Sequence, residues 1–169
     1  MGNLITSKKK IIMAMQKLEN IIYEASNLSF DGTAATIINT GIYLFTQENI
    51  NRDFEFIAEG IYGPINSTNT IICAKHNGNA YGFLVRTHNN TSTTYAGTIS
   101  VINNQKATVI VRRQNGILSA SGTGIKNPGM SFNNMVFNWP LMLGCAVDDD
   151  GNPYRYATGT IDHIIVKWL

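Results

Sequence analysis

The chain has 169 residues, 44% of them hydrophobic and 14% charged, a charged share well below the ~25% of an average globular chain. One domain with an appendage fits that length, and neutral Gly, Asn, Ser and Thr in place of charge point to many short strands joined by polar turns and exclude disorder, a long coiled coil and an acidic tail. A net charge of +2 with one cationic run, Lys8 to Lys10, excludes nucleic acid as the main partner, because phosphate binding needs a concentrated basic face.

Cys73 and Cys145 sit inside apolar strand-like runs and read as reduced, buried small hydrophobes, not as a disulfide scaffold. No apolar run reaches the 18 residues of a membrane span. The N-terminal lysines are followed by a run broken by Gln16, Lys17, Glu19 and Asn20, which lacks the apolar core of a secretory signal. A cytoplasmic or particle-borne location is therefore expected, and the sequons at Asn27, Asn66, Asn89 and Asn90 read as ordinary turns.

In chain order, Ser7 to Ala25 places Ile11, Met15, Leu18, Ile22 and Ala25 at helical spacing, with Ile12 and Ile21 on the flanks and Thr6 or Ser7 able to cap. The spacing predicts an amphipathic helix within a first segment, residues 1–26. Its stripe packs either against its own β-domain or against another chain as a short bundle that tethers the domain. The second reading makes Ile11, Met15, Leu18 and Ile22 assembly residues and the protein a homo-oligomer or a subunit ordered on a larger particle.

From residue 27 to 169 the pattern is that of strands. Asn51 to Tyr62, NRDFEFIAEGIY, alternates Phe54, Phe56, Ala58 and Tyr62 against Asp53, Glu55 and Glu59, as the solvent-facing outer strand of a sheet does. Thr70 to Lys75 and Ala80 to Thr87 flank Asn77-Gly78, a strong hairpin signal. Tyr95 to Ile102 and Lys106 to Arg113 flank Asn103 to Gln105, a second expected hairpin. Near the C-terminus, Pro140 to Val147 aligns Leu141, Leu143, Cys145 and Val147 on one face, and Gly159 to Trp168 aligns Ile164, Val166 and Trp168. The turn-rich stretch between them, Asp148 to Pro153, predicts a long closing hairpin.

The segments NLSFDG (27–32), NRDFEFIAEGIY, VIVRRQNGIL (109–118) and PLMLG followed by a polar loop and GTIDHIIVKW resemble, in order and spacing, the laminin-G-like domains of the concanavalin A-like lectin and glucanase superfamily. The resemblance covers about Leu28 to Trp168 and implies an all-β, antiparallel jelly-roll β-sandwich, here with a short N-terminal α-helix. The chain departs from the family in having no Trp near its middle. Calcium is a frequent family cofactor, yet no family ligand set can be placed on this chain. The loop Asp148 to Gly151 fails as an EF-hand because Ala146 and Ala157 fall at ligand positions, so no metal or other cofactor is expected.

Catalysis is not expected. The superfamily includes hydrolases with two carboxylates on one strand, but Asp53, Glu55 and Glu59 stand at a different spacing, and His76, His88 and His163 belong to no nucleophile or zinc pattern. For a saccharide, which needs amides and carboxylates for its hydroxyls and an aromatic ring for its apolar face, two loops qualify: Asp149, Asp150, Asn152, Tyr154, Arg155 and Tyr156, and, in HNNTSTTY (88–95), His88, Asn90 and Tyr95. The plan of a short helix and one neutral sandwich is similar to bacteriophage virion proteins, in which an N-terminal segment anchors a lectin-like module facing outward. That analogy implies a non-catalytic adhesion or capsid-decoration module, with a free carbohydrate-binding lectin as the alternative and a glycoside hydrolase as a remote one.

Overall fold

The computed structural model describes residues 20–64, 69–75, 82–88, 97–126 and 134–169. Twelve strands lie among them: β1 (Ile21–Asp31), β2 (Ile38–Asn39), β3 (Phe54–Ile61), β4 (Asn69–Lys75), β5 (Gly82–His88), β6 (Thr98–Ile102), β7 (Ala107–Gln114), β8 (Ile117–Thr123), β9 (Met142–Leu143), β10 (Ala146–Val147), β11 (Pro153–Tyr154) and β12 (Thr158–Trp168). Two five-stranded sheets face one another, one in the order β1-β12-β3-β7-β8 and the other β2-β9-β4-β5-β6, while β10 and β11 form a separate ribbon. All pairs are antiparallel except β5–β6, which is parallel. This is the all-β sandwich that the alternation predicts.

The core lies between the sheets. Strand periodicity sends Phe54, Phe56 and Ala58 of β3, Val109 and Val111 of β7, and Ile164 and Val166 of β12 inward from the first sheet, and Ile161 of β12 is buried with them. Ile72, Ala74, Phe83, Val85, Ile99 and Val101 meet them from the second. Burying this apolar surface, at about 25 cal/mol per Å², is the main driving force for closing the sandwich. Five aromatic rings fill its centre: Phe45 packs edge-on to Phe54 and Phe83 and stacks on Phe137, while Phe83 also packs on Phe56.

Several expectations are corrected. The predicted helix over Ser7–Ala25 fails at its C-terminal end, since Ile21 to Ala25 open β1, hydrogen-bonded to β12, and the β-branched Ile21 and Ile22 suit that edge. Ile22 therefore sits half-buried against the core, whereas Ile11, Met15 and Leu18 lie outside the described residues. The hairpin expected across Asn103 to Gln105 is instead a crossing: β6 belongs to the second sheet and β7 to the first. The long closing hairpin is likewise a crossing, because β9 pairs with β2 and β4 while β12 pairs with β1 and β3.

Within the run 140–147, Gly144 adopts φ +81° and its Cα packs so close to Phe30 that a Cβ would lie 2.4 Å from the ring. The run therefore bends between β9 and β10, and Cys145 and Val147 leave the central core for an outer cluster with Cys73 and Met142. In β3 a register shift between Ala58 and Ile61 turns Ile61, not Tyr62, into the core. That strand is also central in its sheet, not an outer strand as expected, and Glu55 is buried on its outward face. The turns marked by Asn-Gly fare better. Strands β4 and β5 pair as expected, and Asn115 and Gly116, at φ 52° and 76°, join β7 to β8 in the left-handed geometry such a turn requires.

Arg113 is fully buried on the inward face of β7, a position where alternation calls for a hydrophobe. Its guanidinium donates to the carbonyls of Arg52, Leu44 and Asn49 and to Asn134 Oδ1 at 2.6–3.0 Å, and lies 5.3 and 4.8 Å from the Phe45 and Phe54 ring centres. Burial pulls its pKa down to about 10, against the favourable charge of Asp53, so it remains ionised at neutral pH. Four acceptors from separate stretches converge on this one side chain. Replacing it, as in Arg113→Met, leaves them unmet in the interior and should cost about 3 kcal/mol or more. Urea unfolding measures this, and a loss under about 1 kcal/mol would contradict the role.

Candidate functional site

The ribbon β10–β11 folds over the outer face of the second sheet. Its turn is made by Asp148, whose Oδ1 accepts from the backbone N–H of Asp150 (3.0 Å) and Asn152 (2.7 Å), while Asn152 O accepts from Asp148 N. These hydrogen bonds hold the Asp148 carboxyl below its usual range, the Asn152 backbone N–H foremost. The carboxylate is thus committed to its own turn. Beneath the ribbon, Cys73, Met142, Cys145 and Val147 form a small apolar cluster with Leu84 and Tyr156 packed against it.

Where the ribbon leaves the sheet uncovered, a cleft of about 310 Å³ opens, near the lower end of the range for small-ligand pockets. Outward-facing positions of three adjacent strands form its floor: Thr70, Cys73 and Lys75 of β4, Leu84 and Arg86 of β5, and Thr98 of β6. In register Thr70 stands opposite Arg86, Cys73 opposite Leu84, and Leu84 beside Thr98. The wall is Ala146 and Val147 of β10 with Tyr154 and Arg155. Arg155 adopts φ 51°, a left-handed conformation uncommon outside glycine, and its guanidinium carbon lies 5.2 Å from the Tyr154 ring centre. Lys75 is half-buried, and its pKa is lowered by that burial, against an opposing pull from Cys73, with a smaller lowering from the like charge of Arg86.

Of the residues singled out in the sequence, Tyr154 and Arg155 line the cleft. Asp149, Asp150 and Asn152 lie on the ribbon's turn outside it, and Tyr156 is packed on the cluster below. His88 is the last residue of β5, in register with Ile102, while Asn90 and Tyr95 lie outside the described residues. The floor residues Thr70, Lys75, Arg86 and Thr98 escaped sequence reasoning. Their one signal was polarity within or at the ends of apolar strands, which reads as solvent exposure until the ribbon is folded over them.

A shallower recess of about 280 Å³ lies where β1 begins and β12 ends, lined among others by Ile22, Tyr43, Glu48 and Trp168. The Arg52 guanidinium carbon sits 4.1 Å over the Trp168 ring and covers that face.

The strand carboxylates stand apart from both recesses. Glu55 is enclosed by Arg112 and Lys167, and Glu59 is exposed with Oε2 3.9 Å from His163 Nδ1; His163 Nε2 lies 2.9 Å from Glu24 Oε1. Burial pushes the Glu55 carboxyl up, but Lys167 and Arg112 outweigh it and hold the group below its ordinary value. Among the described residues no three His, Cys, Asp or Glu side chains converge as a metal-binding set.

No family model and no curated protein matches the sequence. Among solved structures the chain is similar in fold to the NanB sialidase of Streptococcus pneumoniae. For NanB with Optactamide the TM-score is 0.50 at 13% identity, over 87% of this chain and 26% of that one. For the K499G mutant the values are 0.49, 11%, 89% and 27%. The chain spans about a quarter of that protein, and the likeness is one of fold: a β-sandwich that also occurs within a sialidase.

Two outcomes follow from these environments. A depressed carboxyl stabilises above its unfolded value of 4.5 and loses that contribution as pH falls through the folded value. Glu55→Gln should therefore lower stability by about 1–2 kcal/mol at pH 7, with the gap to the parent closing below pH 4.5, as chemical denaturation across pH would record. Both thiols are buried, Cys73 is raised by burial, and Cys145 is pushed up to about 12 by burial and by Cys73. Ellman's reagent at pH 8 should accordingly find no thiol in the native protein and two after denaturation.

Proposed function

We propose that the chain is a non-catalytic saccharide-binding module whose ligand lies in the cleft between the outer face of the second sheet and the β10–β11 ribbon. The observation that carries this reading is the composition of that one cleft. It offers two threonine hydroxyls and three long-chain cations as hydrogen-bonding groups, an apolar floor at Leu84 and Cys73, and the Tyr154 ring at the wall. A sugar ring, polar at its edge and apolar on its face, is matched by that mixture. The sialidase likeness agrees with a saccharide ligand, although at 13% identity it adds no residue to the argument.

The salt-bridged environment of Glu55 supports binding without turnover. A carboxyl held ionised by two cations is a poor general acid, and neither Glu55 nor Glu59 lines the cleft. Display on a particle surface, as expected from the sequence, is compatible with this role and rests on the segment 1–26, of which residues 1–19 lie outside the described residues and the last part, Ile22 included, is in β1.

A glycan array with the purified chain tests the reading. Binding to a defined set of glycans, reduced about tenfold or more by Tyr154→Ala with the fold intact by circular dichroism, is the expected result. Binding unchanged by that substitution would move the site elsewhere.

A further inference from the structure

Resting on the reading of the cleft as a saccharide site, we propose that it selects anionic saccharides, a ring whose carboxylate or sulfate is drawn between Lys75, Arg86 and Arg155. The charge of the whole chain is nearly even, with 13 Lys and Arg against 11 Asp and Glu. Among the described residues that line the cleft the balance differs: Lys75, Arg86 and Arg155 are cations and none is a carboxylate. Lys75 and Arg86 stand on either side of the Cys73–Leu84 row and so bracket the floor, while Arg155 closes the rim from the ribbon.

Charges in a concave site of low-dielectric walls sum to a field well above that of scattered surface lysines. Guanidinium groups also match the paired oxygens of a carboxylate or sulfate in a forked geometry. The packing supports the same conclusion from the protein's side. Burial disfavours the charged form of Lys75, and an incoming anion compensates the lost hydration. A neutral sugar would desolvate the same cations without returning charge, which penalises it relative to its anionic counterpart. The left-handed Arg155 fits this picture, since backbone strain at an exposed residue on the rim is the kind of cost that functional sites retain.

The test uses the full chain and matched saccharides on one backbone: lactose, its sialylated form and its sulfated form, alongside an array of neutral, carboxylated and sulfated glycans. At least one charged class should bind about tenfold or more tightly than its neutral counterpart, and rising salt should weaken it. The better of the two charged arms identifies the anion as carboxylate or sulfate. Lys75→Met and Arg86→Gln should each remove the preference. Because both are partly buried, Arg155→Gly serves as a second probe that keeps the backbone conformation and leaves the floor untouched. Equal binding of neutral and charged forms that is lost in Tyr154→Ala would overturn the anion selectivity and leave the saccharide reading standing. A charge preference unaffected by all three cation variants would overturn the assignment of this cleft as the anion site. No glycan bound in any arm would remove the saccharide reading and this inference together.

Discussion

A single buried cation organises one end of the sandwich. The Arg113 side chain occupies an inward position of β7 where its neighbours in alternation, Val109 and Val111, are hydrophobic, and it satisfies itself with carbonyls of the 44–52 stretch and with Asn134. Removing so polar a group from water is tolerable because several hydrogen bonds and the faces of Phe45 and Phe54 replace the lost hydration. In return, the connection between β2 and β3 and the approach to β9 are held against the first sheet. With those connections in place Phe45 and Phe137 can stack in the core, and β9 can reach β4.

That placement of β9 determines where the candidate site lies. The bend at Gly144 sends the chain out of the core and over the second sheet, so β10 and β11 cover strands β4 to β6 from outside. The ribbon seals an apolar cluster at its base and leaves a polar cleft at its margin. Two environments thus share one face: Cys73 touches both, while Lys75, Arg86 and Arg155 collect where the cover ends. The outer face of the opposite sheet is different in kind. There the cations are paired with carboxylates, Arg112 and Lys167 with Glu55 across strands and, separately, Lys106 with Asp162.

The sequence reading succeeded where information is local. Alternation in 54–58 and 164–168 located inward faces because a strand's side chains have a period of two, and the Asn-Gly pair at 115–116 marked a turn because those residues accept positive φ. It failed where two neighbouring strands had to be assigned to the same or to opposite sheets. A three-residue polar connection such as Asn103 to Gln105 serves either a hairpin or a crossing, and the difference lies in which distant strands compete for each edge. The helical spacing of 11–25 misled at its end for a related reason. Ile21 and Ile22 suit either period, and the available edge of β12 decided. Of the candidate site, Tyr154 and Arg155 were legible because aromatic and charged residues in a turn-rich loop are already a recognition signal. The floor residues were not, since the loop that makes them a cleft joins them only through the fold.

By itself, then, the chain's pattern of short alternating runs and neutral turns determined an all-β sandwich, part of its core-facing set, such as Phe54, Phe56, Ile164 and Val166, and one of the loops that shapes the cleft, because each depends on residues a few positions apart. The tertiary structure alone decided which sheet each strand joins, that Arg113 and Glu55 are buried, and that Lys75, Arg86 and Arg155 meet around one cleft. Those outcomes depend on segments far apart in the chain, such as Ile21 and Lys167 paired across β1 and β12 or Lys75 and Arg155 lining one cleft, which compete through burial and hydrogen bonding and leave no local trace in the sequence.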